Sequence, residues 1–370
     1  MLCYIIRVLS AVLLAFFIEL PVIGQEQAPA PKGYTLTYLP LLPGGAYDAA
    51  AFAINNHGQI VGFSATDQFG SSNLRHAVLW TNGVPKDLGT LGGGYSLAFG
   101  INDRGQIVGE SATANGETHP FLYDDGTMRD LGLPVSDGHA RGINNEGVVV
   151  GYSLFNAGPS KPWVWHDGAT SWLPALPFAG ANALAFAIND RADVVGVSNT
   201  AVSTHAVLWR DGLAFDLGTL GGANSFGIGV NNRTQVVGWA EPPLGQPAHA
   251  FLWQHHAMQD LSPSGTSGVG MAISDRGQVV GQLVLSGGCS DPFLWDAGEM
   301  IDLNTRLVGS AAIHGYARAI NNRGQILGDA FQSEIACGEV QIERPIVLNP
   351  VHHREPSGPQ ATSAETNDPD

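Results

Sequence analysis

The hydrophobic positions of this chain come in short runs that return at a regular distance. A seed with the pattern Ile-Asn-x-x-Gly-Gln-Ile-Val-Gly first appears at residues 54–62. It recurs six more times with substitutions, and its second position falls at residues 55, 102, 144, 189, 231, 274 and 321. The spacings between units are 47, 42, 45, 42, 43 and 47 residues. A steady period of this length is the sequence signature of a repeat fold.

Two further apolar motifs follow each seed in fixed order. The first is an aromatic run such as Ala-Val-Leu-Trp at residues 77–80, and the second ends in Asp-Leu, as at residues 87–88. An Asn-Gly or Asp-Gly pair between them predicts a tight hairpin. Each unit therefore predicts four short strands, which we name A to D in chain order. Four strands per repeat of this length are typical of a β-propeller blade, whereas the 3.6-residue period of helical repeats is absent.

The two ends of the chain complement each other. The seventh unit has strands A to C, but no Asp-Leu strand follows Leu348. At the other end, residues 34–39 form an unpaired strand pattern before the first seed, followed by Leu-Pro-Gly-Gly at 42–45, which matches Leu-Gly-Gly at 91–93. We therefore predict an all-β, seven-bladed propeller over residues 33–349, whose ring is closed by the N-terminal strand. Such closure leaves no unpaired sheet edge.

The segments outside the propeller have different compositions. Residues 1–24 place one cation, Arg7, before an apolar run that ends in small residues, which is typical of a secretory signal peptide. Residues 25–32 are predicted to be a linker and residues 350–370 a disordered polar tail. The apolar run is too short for a membrane span, so we expect an exported protein (extracellular, periplasmic or at the cell surface) with no membrane span after cleavage.

Composition narrows the range of partners. Charged residues make up 14% of the chain, and 33 Asp and Glu against 17 Lys and Arg give a net charge of −16. A chain with so few cations is poorly suited to phosphate backbones, so nucleic acid is not expected as a partner. We expect a monomer whose partner is a glycan or a protein of unknown identity.

The repeated motifs resemble those of a known family. His-Ala-Phe-Leu-Trp at residues 249–253, Asp-Leu-Gly-Thr-Leu-Gly-Gly at 87–93 and the Ile-Asn-x-x-Gly-Gln seeds are similar to the HAF-repeat family of probable extracellular repeat proteins. The resemblance covers essentially the whole chain after residue 24. It implies a bacterial exported protein, and it implies neither an established activity nor catalytic residues. Trp172 and Leu348 depart from the pattern of the other units.

Four units pair a histidine at the start of strand C with an aspartate eleven residues later. Across the C–D hairpin these positions are neighbours, so a structural hydrogen bond is expected within each blade. Equivalent positions in a ring do not converge on one point, which argues against a metal or catalytic site. No metal or other cofactor is expected. The predicted pairs are His76–Asp87, His119–Asp130, His205–Asp216 and His249–Asp260.

The B–C and D–A connections vary in length and emerge on one face of a propeller. Variable loops on a rigid scaffold are a common place for binding. Residues there that do not repeat are our candidates for a binding face, and two cysteines in neighbouring B–C segments, Cys289 and Cys337, are candidates for a disulfide in an oxidising compartment. The candidate face consists of Phe69, Asp137, His139, Phe155, Phe178 and Glu334.

Three functional hypotheses remain open at this point. The first is a non-enzymatic exported propeller that binds through its B–C and D–A loop face, because seven near-equivalent units favour binding over catalysis. The second is a carbohydrate-active hydrolase or lyase that uses two carboxylates near the central channel. The third is a purely structural surface protein. A deep acidic channel would favour the enzyme, and an aromatic groove would favour a glycan.

Overall fold

The computed structural model describes residues 31–45, 48–67, 74–178, 180–243, 246–262, 266–284, 290–332 and 342–351. These residues form seven four-stranded antiparallel sheets, each with its strands in the order A-B-C-D. The all-β, seven-bladed propeller predicted from the repeat is therefore confirmed. Within the described residues, no helix is long and apolar enough to cross a membrane.

Strand bounds follow the repeat closely. Blade 1 contains β2 Ala49–Ile54, β3 Ile60–Ala65, β4 Arg75–Thr81 and β5 Val84–Asp87. Blade 2 contains β6 Gly92–Ile101, β7 Ile107–Thr113, β8 Thr118–Asp124 and β9 Thr127–Asp130. Blade 3 contains β10 Gly138–Ile143, β11 Val149–Ser153, β12 Lys161–His166 and β13 Ala169–Trp172. Blade 4 contains β14 Ala183–Ile188, β15 Val194–Asn199, β16 Thr204–Arg210 and β17 Leu213–Asp216.

The remaining blades have the same plan. Blade 5 contains β18 Ser225–Val230, β19 Val236–Ala240, β20 His249–Gln254 and β21 Ala257–Asp260. Blade 6 contains β22 Ser267–Ile273, β23 Val279–Val284, β24 Ser290–Asp296 and β25 Glu299–Asp302, followed by a short 3₁₀ helix at Leu303–Arg306. Blade 7 contains β26 His314–Ile320, β27 Ile326–Gln332 and β28 Ile342–Pro350, and its outer strand is β1, Tyr34–Tyr38.

The hairpins between strands C and D show why Asn-Gly and Asp-Gly recur. In blade 1 only Asn82 and Gly83 separate β4 from β5, and their φ angles are 52° and 77°. Two consecutive positive φ angles define the tight hairpin turn that matches the twist of the flanking strands. Glycine adopts such angles without steric cost, and asparagine and aspartate tolerate them better than other residues.

The N-terminal strand closes the ring as the sequence predicts. β1 pairs antiparallel with β28, with Leu36 opposite Leu348 and Tyr38 opposite Ile346. The first and last strands of the described propeller thus belong to the same blade. The pairing satisfies the edge of β28 that would otherwise face solvent as an open template.

The cores lie between neighbouring blades rather than within one. The cluster that joins blades 7 and 1, for example, combines Leu327 and Val347 with Val78 and Trp80. Most of the largest fully buried side chains are aromatic residues of strand C, as expected for packing between stacked sheets. The indole N–H of Trp80 donates to the carbonyl of Pro40 at 2.7 Å, so this large side chain is buried without an unsatisfied donor.

Candidate functional site

The seven A strands surround the central channel. Each A strand contacts the A strands of both neighbouring blades, including β2 with β26 across the point of closure. Side chains from these strands line two cavities along the axis. The A strands therefore decide what the channel presents to a ligand.

Every A strand carries a β-bulge at the same place. In blade 1, Ala51 pairs with Gly62 and Ala53 pairs with Val61, so Phe52 between them has no partner residue. A bulge of this kind re-aims the side chain of its extra residue, and here each one lines the wider axial cavity. We call these seven residues the bulge ring: Phe52, Phe99, Arg141, Phe186, Ile228, Met271 and Arg318.

The cavity around the bulge ring, which we call the chamber, has a volume of about 630 Å³. This volume falls within the range of about 300–1,000 Å³ that is usual for small-molecule sites. A ring of Ile and Val side chains at the ends of the A strands separates the chamber from a narrower cavity of about 230 Å³. The chamber lies on the side of this ring toward the D–A and B–C connections.

Along strand A the repeat breaks down at two positions. One is the bulge ring, and the other is the residue two before it, which is Ala50, Leu97, His139, Leu184, Phe226, Val269 and Tyr316. The positions before and after the bulge are alanine or glycine in every blade. These positions are tightly packed: a Cβ added at Gly142 would lie 3.3 Å from backbone atoms of Phe186 and Ala187 in the next blade. The bulge position itself changes from phenylalanine to arginine, isoleucine and methionine. The units therefore differ from one another where they face the chamber.

The two arginines of the bulge ring have different surroundings. Arg318 forms an ion pair with Asp329, which is fully buried on β27 of the same blade. Arg141 lies with its guanidinium carbon 3.9 Å from the ring centre of Phe99, and it forms no ion pair or hydrogen bond among the described residues. Burial raises the pKa of Asp329 above its usual value, and the Arg318 guanidinium offsets this only in part.

A histidine with two carboxylate neighbours lies beside Arg141. His139 Nδ1 is 2.6 Å from Glu110 Oε2, and its Nε2 is 3.0 Å from Asp137 Oδ1, although this second contact lacks hydrogen-bond geometry. The imidazole also packs on Tyr152, with 4.8 Å between ring centres. Burial raises the pKa of Tyr152, while Arg141 acts in the opposite direction.

This cluster corrects one of the loop predictions. Asp137 lies in a D–A connection as predicted, but His139 is the second residue of β10 and pairs with Tyr152 of β11. It is a strand residue, because β10 already begins at Gly138, and its ring faces the neighbouring blade rather than solvent. Glu110, on β7, was missed because the fourth position of strand B has no common residue type in the seven units, and only blade 7 also has an acid there, Asp329.

The asparagine of each seed has two roles at the narrow end of the channel. Asn55 Oδ1 accepts hydrogen bonds from the amides of His57 and Gln59, which is the turn chemistry expected from the sequence. Its Nδ2 also donates to the carbonyl of Asn102 in the next blade at 3.0 Å. The same inter-blade bond recurs around the ring until Asn321 donates back to Asn55, and only Ser274 lacks it.

The residue after each seed asparagine forms a second hydrogen-bonded ring. Asn and Asp alternate around it except where Asn322 meets Asn56, and the backbone amide of each donates to the side-chain oxygen of the next. Each carboxylate also accepts from the amide groups of neighbouring asparagines, so its charge is already solvated by the ring. The members are Asn56, Asp103, Asn145, Asp190, Asn232, Asp275 and Asn322.

The four histidine–aspartate pairs are present on the outer hairpins. The shortest contacts from Nδ1 to carboxylate oxygen are 2.9 Å in His76–Asp87, 2.6 Å in His119–Asp130, 2.8 Å in His205–Asp216 and 2.7 Å in His249–Asp260. Each pair lies within its own blade, so the pairs do not converge. No group of three or more His, Cys, Asp or Glu among the described residues has the arrangement of a metal site.

Replacing His76 with glutamine should reduce stability by about 0.5–1 kcal/mol at pH 7, because the pair is partly exposed. Burial alone would raise the pKa of Asp87, but hydrogen bonds from His76 and the Gly89 amide hold it below its usual value of 3.8. This stabilisation is present above pH 3.8 and is lost as pH falls through the lower folded-state pKa. Urea unfolding at pH 7 and pH 3 should therefore show that the free energy of unfolding falls less on acidification in His76→Gln than in wild type. His57→Gln, at an exposed turn position, is the control. An equal decrease in the free energy of unfolding between pH 7 and pH 3 in both variants would contradict the prediction.

The other loop predictions divide into two groups. Phe155 and Phe178 are partly exposed on the connections of blade 3, and Phe155 packs near Trp172 with 6.1 Å between ring centres. Phe69, Glu334, Cys289 and Cys337 lie outside the described residues, as do residues 1–30 and 352–370. The disulfide, the signal peptide and most of the polar tail therefore stay predictions.

Comparisons with known proteins identify the fold alone. No protein-family model and no curated protein matches the chain. The β-propeller domain of the Trilobed protease from Pyrococcus furiosus, described as having an open velcro topology, is 10% identical with a TM-score of 0.56, over 86% of this chain and 94% of that one. Here, by contrast, β1 closes the ring.

Two peptidases also contain a similar propeller. The Pyrococcus horikoshii acylaminoacyl peptidase is 12% identical with a TM-score of 0.51, over 80% of this chain and 52% of that one. A prolyl endopeptidase is 8% identical with a TM-score of 0.53, over 87% of this chain and 51% of that one. This chain thus spans about half the length of each peptidase. At such low identity the likeness establishes a β-propeller and says nothing of activity.

Proposed function

We propose that this protein is an exported, non-enzymatic propeller that binds its ligand in the chamber. The observation that carries the proposal is the distribution of differences between the repeats. The positions on either side of the bulge are alanine or glycine in every blade and the A–B turns repeat their hydrogen bonds, whereas the bulge ring that lines the chamber differs from blade to blade. A symmetric scaffold with a non-symmetric lining can hold a ligand in one orientation. Loops alone, as the sequence suggests, would place the site further from the axis.

The cellular setting belongs to the same proposal. Residues 1–24 have the pattern of a signal peptide, and the repeat motifs resemble those of the HAF-repeat family, which implies export. Because the net charge is −16, we do not propose nucleic acid as a partner. The variable B–C and D–A connections surround the side of the channel on which the chamber lies, so a larger glycan or protein partner would contact them as well.

One cluster bears on the enzymatic alternative. Glu110 and Asp137 bring two carboxylates to opposite nitrogens of His139, close to the chamber. Because both acids contact the same imidazole, they flank a side chain rather than a gap for a glycosidic bond, which a two-carboxylate mechanism requires. Turnover of a polysaccharide by wild type that is abolished in Glu110→Gln would establish the enzyme in place of the binding protein.

Narrowing the chamber should abolish binding. Ligand-observed NMR with neutral oligosaccharides, short peptides and small organic acids would first identify a probe that binds the wild-type chain. We expect the Ile228→Trp/Met271→Trp variant, altered on two adjacent blades of the bulge ring, to bind that probe at least about tenfold more weakly.

The matched control places the same side chain outside the chamber. Val202→Trp adds an indole to a fully exposed residue in the B–C connection of blade 4 and should leave binding unchanged. Binding that survives in the chamber variant and is lost in Val202→Trp would assign the ligand to the loop face instead. Failure of all three probe classes to bind wild type would contradict the binding function.

A further inference from the structure

The chamber wall is apolar apart from two guanidinium groups. Within the described residues, every other side chain that lines it belongs to Phe, Ile, Val, Met or Ala, and the remaining positions are glycine. Among these described lining residues there is no carboxylate, hydroxyl or amide side chain. An apolar ligand body is thus the natural occupant, and any polar group of the ligand must be one that a guanidinium recognises.

The charges of the two arginines are balanced differently. Arg318 is neutralised by Asp329, which occupies the fourth position of strand B in blade 7. In blade 3 the equivalent position is Tyr152, so Arg141 has no acid on its own strand pair. The nearest acidic cluster, Glu110 with Asp137, is already engaged with His139 and does not line the chamber. Arg141 is therefore the one chamber cation that no described carboxylate pairs with.

The geometry of Arg141 suits recognition in the plane of its guanidinium. Its guanidinium carbon is 3.9 Å from the centre of the Phe99 ring and 6.0 Å from that of Tyr152. The contact with Phe99 covers one side of the group, whose five N–H donors lie in the guanidinium plane. Those donors match the two oxygens of a carboxylate in a bidentate pair. A cation beside an apolar wall is poorly solvated, so pairing with a single anion stabilises it strongly.

We propose that the chamber binds a small monocarboxylic acid with an apolar body, held through its carboxylate by Arg141. The inference rests on the proposed binding function and names the ligand class of the same site. One free arginine fits one negative charge. The phenylalanines, Ile228 and Met271 of the bulge ring would contact either an aromatic ring or an acyl chain, and the chamber volume of about 630 Å³ accepts both.

The test compares acids with a neutral analogue of the same shape. Phenylacetate and octanoate are the two acid probes, and phenylacetamide has the shape of the first but is neutral and carries an NH2 group in place of one carboxylate oxygen. We expect full-length protein to bind both acids, and to bind phenylacetate roughly 10- to 100-fold more tightly than phenylacetamide, the range of a hydrogen bond to a charged group. Tighter binding of one acid than the other would distinguish an aromatic body from an acyl one.

Variants of Arg141 separate charge from shape. Arg141→Met should bind phenylacetate as weakly as phenylacetamide, and Arg141→Lys should retain part of the preference, because it keeps the charge and loses the bidentate fork. Arg191→Met, at an exposed turn of blade 4 near the other end of the channel, is the control and should not change binding. Thermal unfolding of each variant checks that the propeller is intact.

The outcomes distinguish this inference from the proposed function. If phenylacetamide binds as tightly as phenylacetate, or if Arg141→Met keeps the preference for the acid, the carboxylate class is wrong while binding in the chamber stands. If inorganic sulfate competes as well as phenylacetate, the site recognises any anion and the apolar body has no role. If neither acid nor amide binds and neutral oligosaccharides do, the ligand class is wrong.

Discussion

Replacing Tyr34 with alanine should lower the free energy of unfolding by about 3–5 kcal/mol, the usual cost of removing a large buried aromatic side chain. Tyr34 is the first residue of β1 and is fully buried. It belongs to the core cluster that includes Leu294 of blade 6 and Ile346 of blade 7. Its loss thus weakens both the inter-blade core and the strand that closes the ring.

The hydroxyl group of Tyr34 provides the matched control. It is buried without a hydrogen-bond partner among the described residues, and burial raises its pKa far above the usual value. An unsatisfied buried hydroxyl costs free energy, so Tyr34→Phe should be as stable as wild type or more stable by about 1 kcal/mol. Urea unfolding followed by circular dichroism measures both variants. Equal destabilisation by Ala and Phe would show that the hydroxyl, rather than the ring, makes the important contact.

Deleting residues 31–38 tests the closure itself. The deletion exposes the edge of β28 as an open template, so we expect aggregation or a loss of cooperative unfolding. Deleting residues 352–370, most of the predicted tail, should change neither. A cooperative, monomeric propeller without β1 would show that the contacts between blades 7 and 1 suffice to close the ring.

The repeat made the architecture predictable because each blade uses the same local chemistry. The residue types of Asn82 and Gly83 alone predict a hairpin turn, and the apolar runs on either side have the length of a strand. The closure by β1 could be inferred because the seventh unit lacks a fourth strand, whereas residues 34–39 provide one strand that belongs to no other unit. Both inferences depend on short-range patterns that a sequence displays directly.

The chamber could not be predicted in the same way. Simple alternation along strand A assigns successive residues to opposite faces, but the bulge at Phe52 and its equivalents inserts an extra residue and re-aims it. The role of Asn55 in joining blades was likewise hidden, because the acceptor of its Nδ2 is 47 residues away. One usable signal was present: the bulge positions change where the flanking residues repeat.

Removing the charge of Arg318 should destabilise the propeller by about 3–5 kcal/mol at neutral pH, because it leaves Asp329 buried without its partner. Arg318→Met keeps the length of the apolar stem. The pKa of Asp329 is already raised by burial, and loss of the guanidinium raises it further. Because the pKa of Asp329 is higher in the folded than in the unfolded protein, the contribution of this group to stability is greatest at pH values below the unfolded-state pKa. That contribution declines as the pH rises through the folded-state pKa.

The destabilisation in Arg318→Met should therefore be smaller at pH 4 than at pH 8. The double variant Arg318→Met/Asp329→Asn removes both charges, and it should recover much of the lost stability and lose the pH dependence, because no unpaired charge remains in the core. Urea unfolding of the four members of this cycle at both pH values gives the coupling energy directly. Additive effects in the cycle would show that the pair contributes nothing beyond its two side chains. A double variant less stable than Arg318→Met would show that the Asp329 carboxylate stabilises blade 7 through contacts other than Arg318.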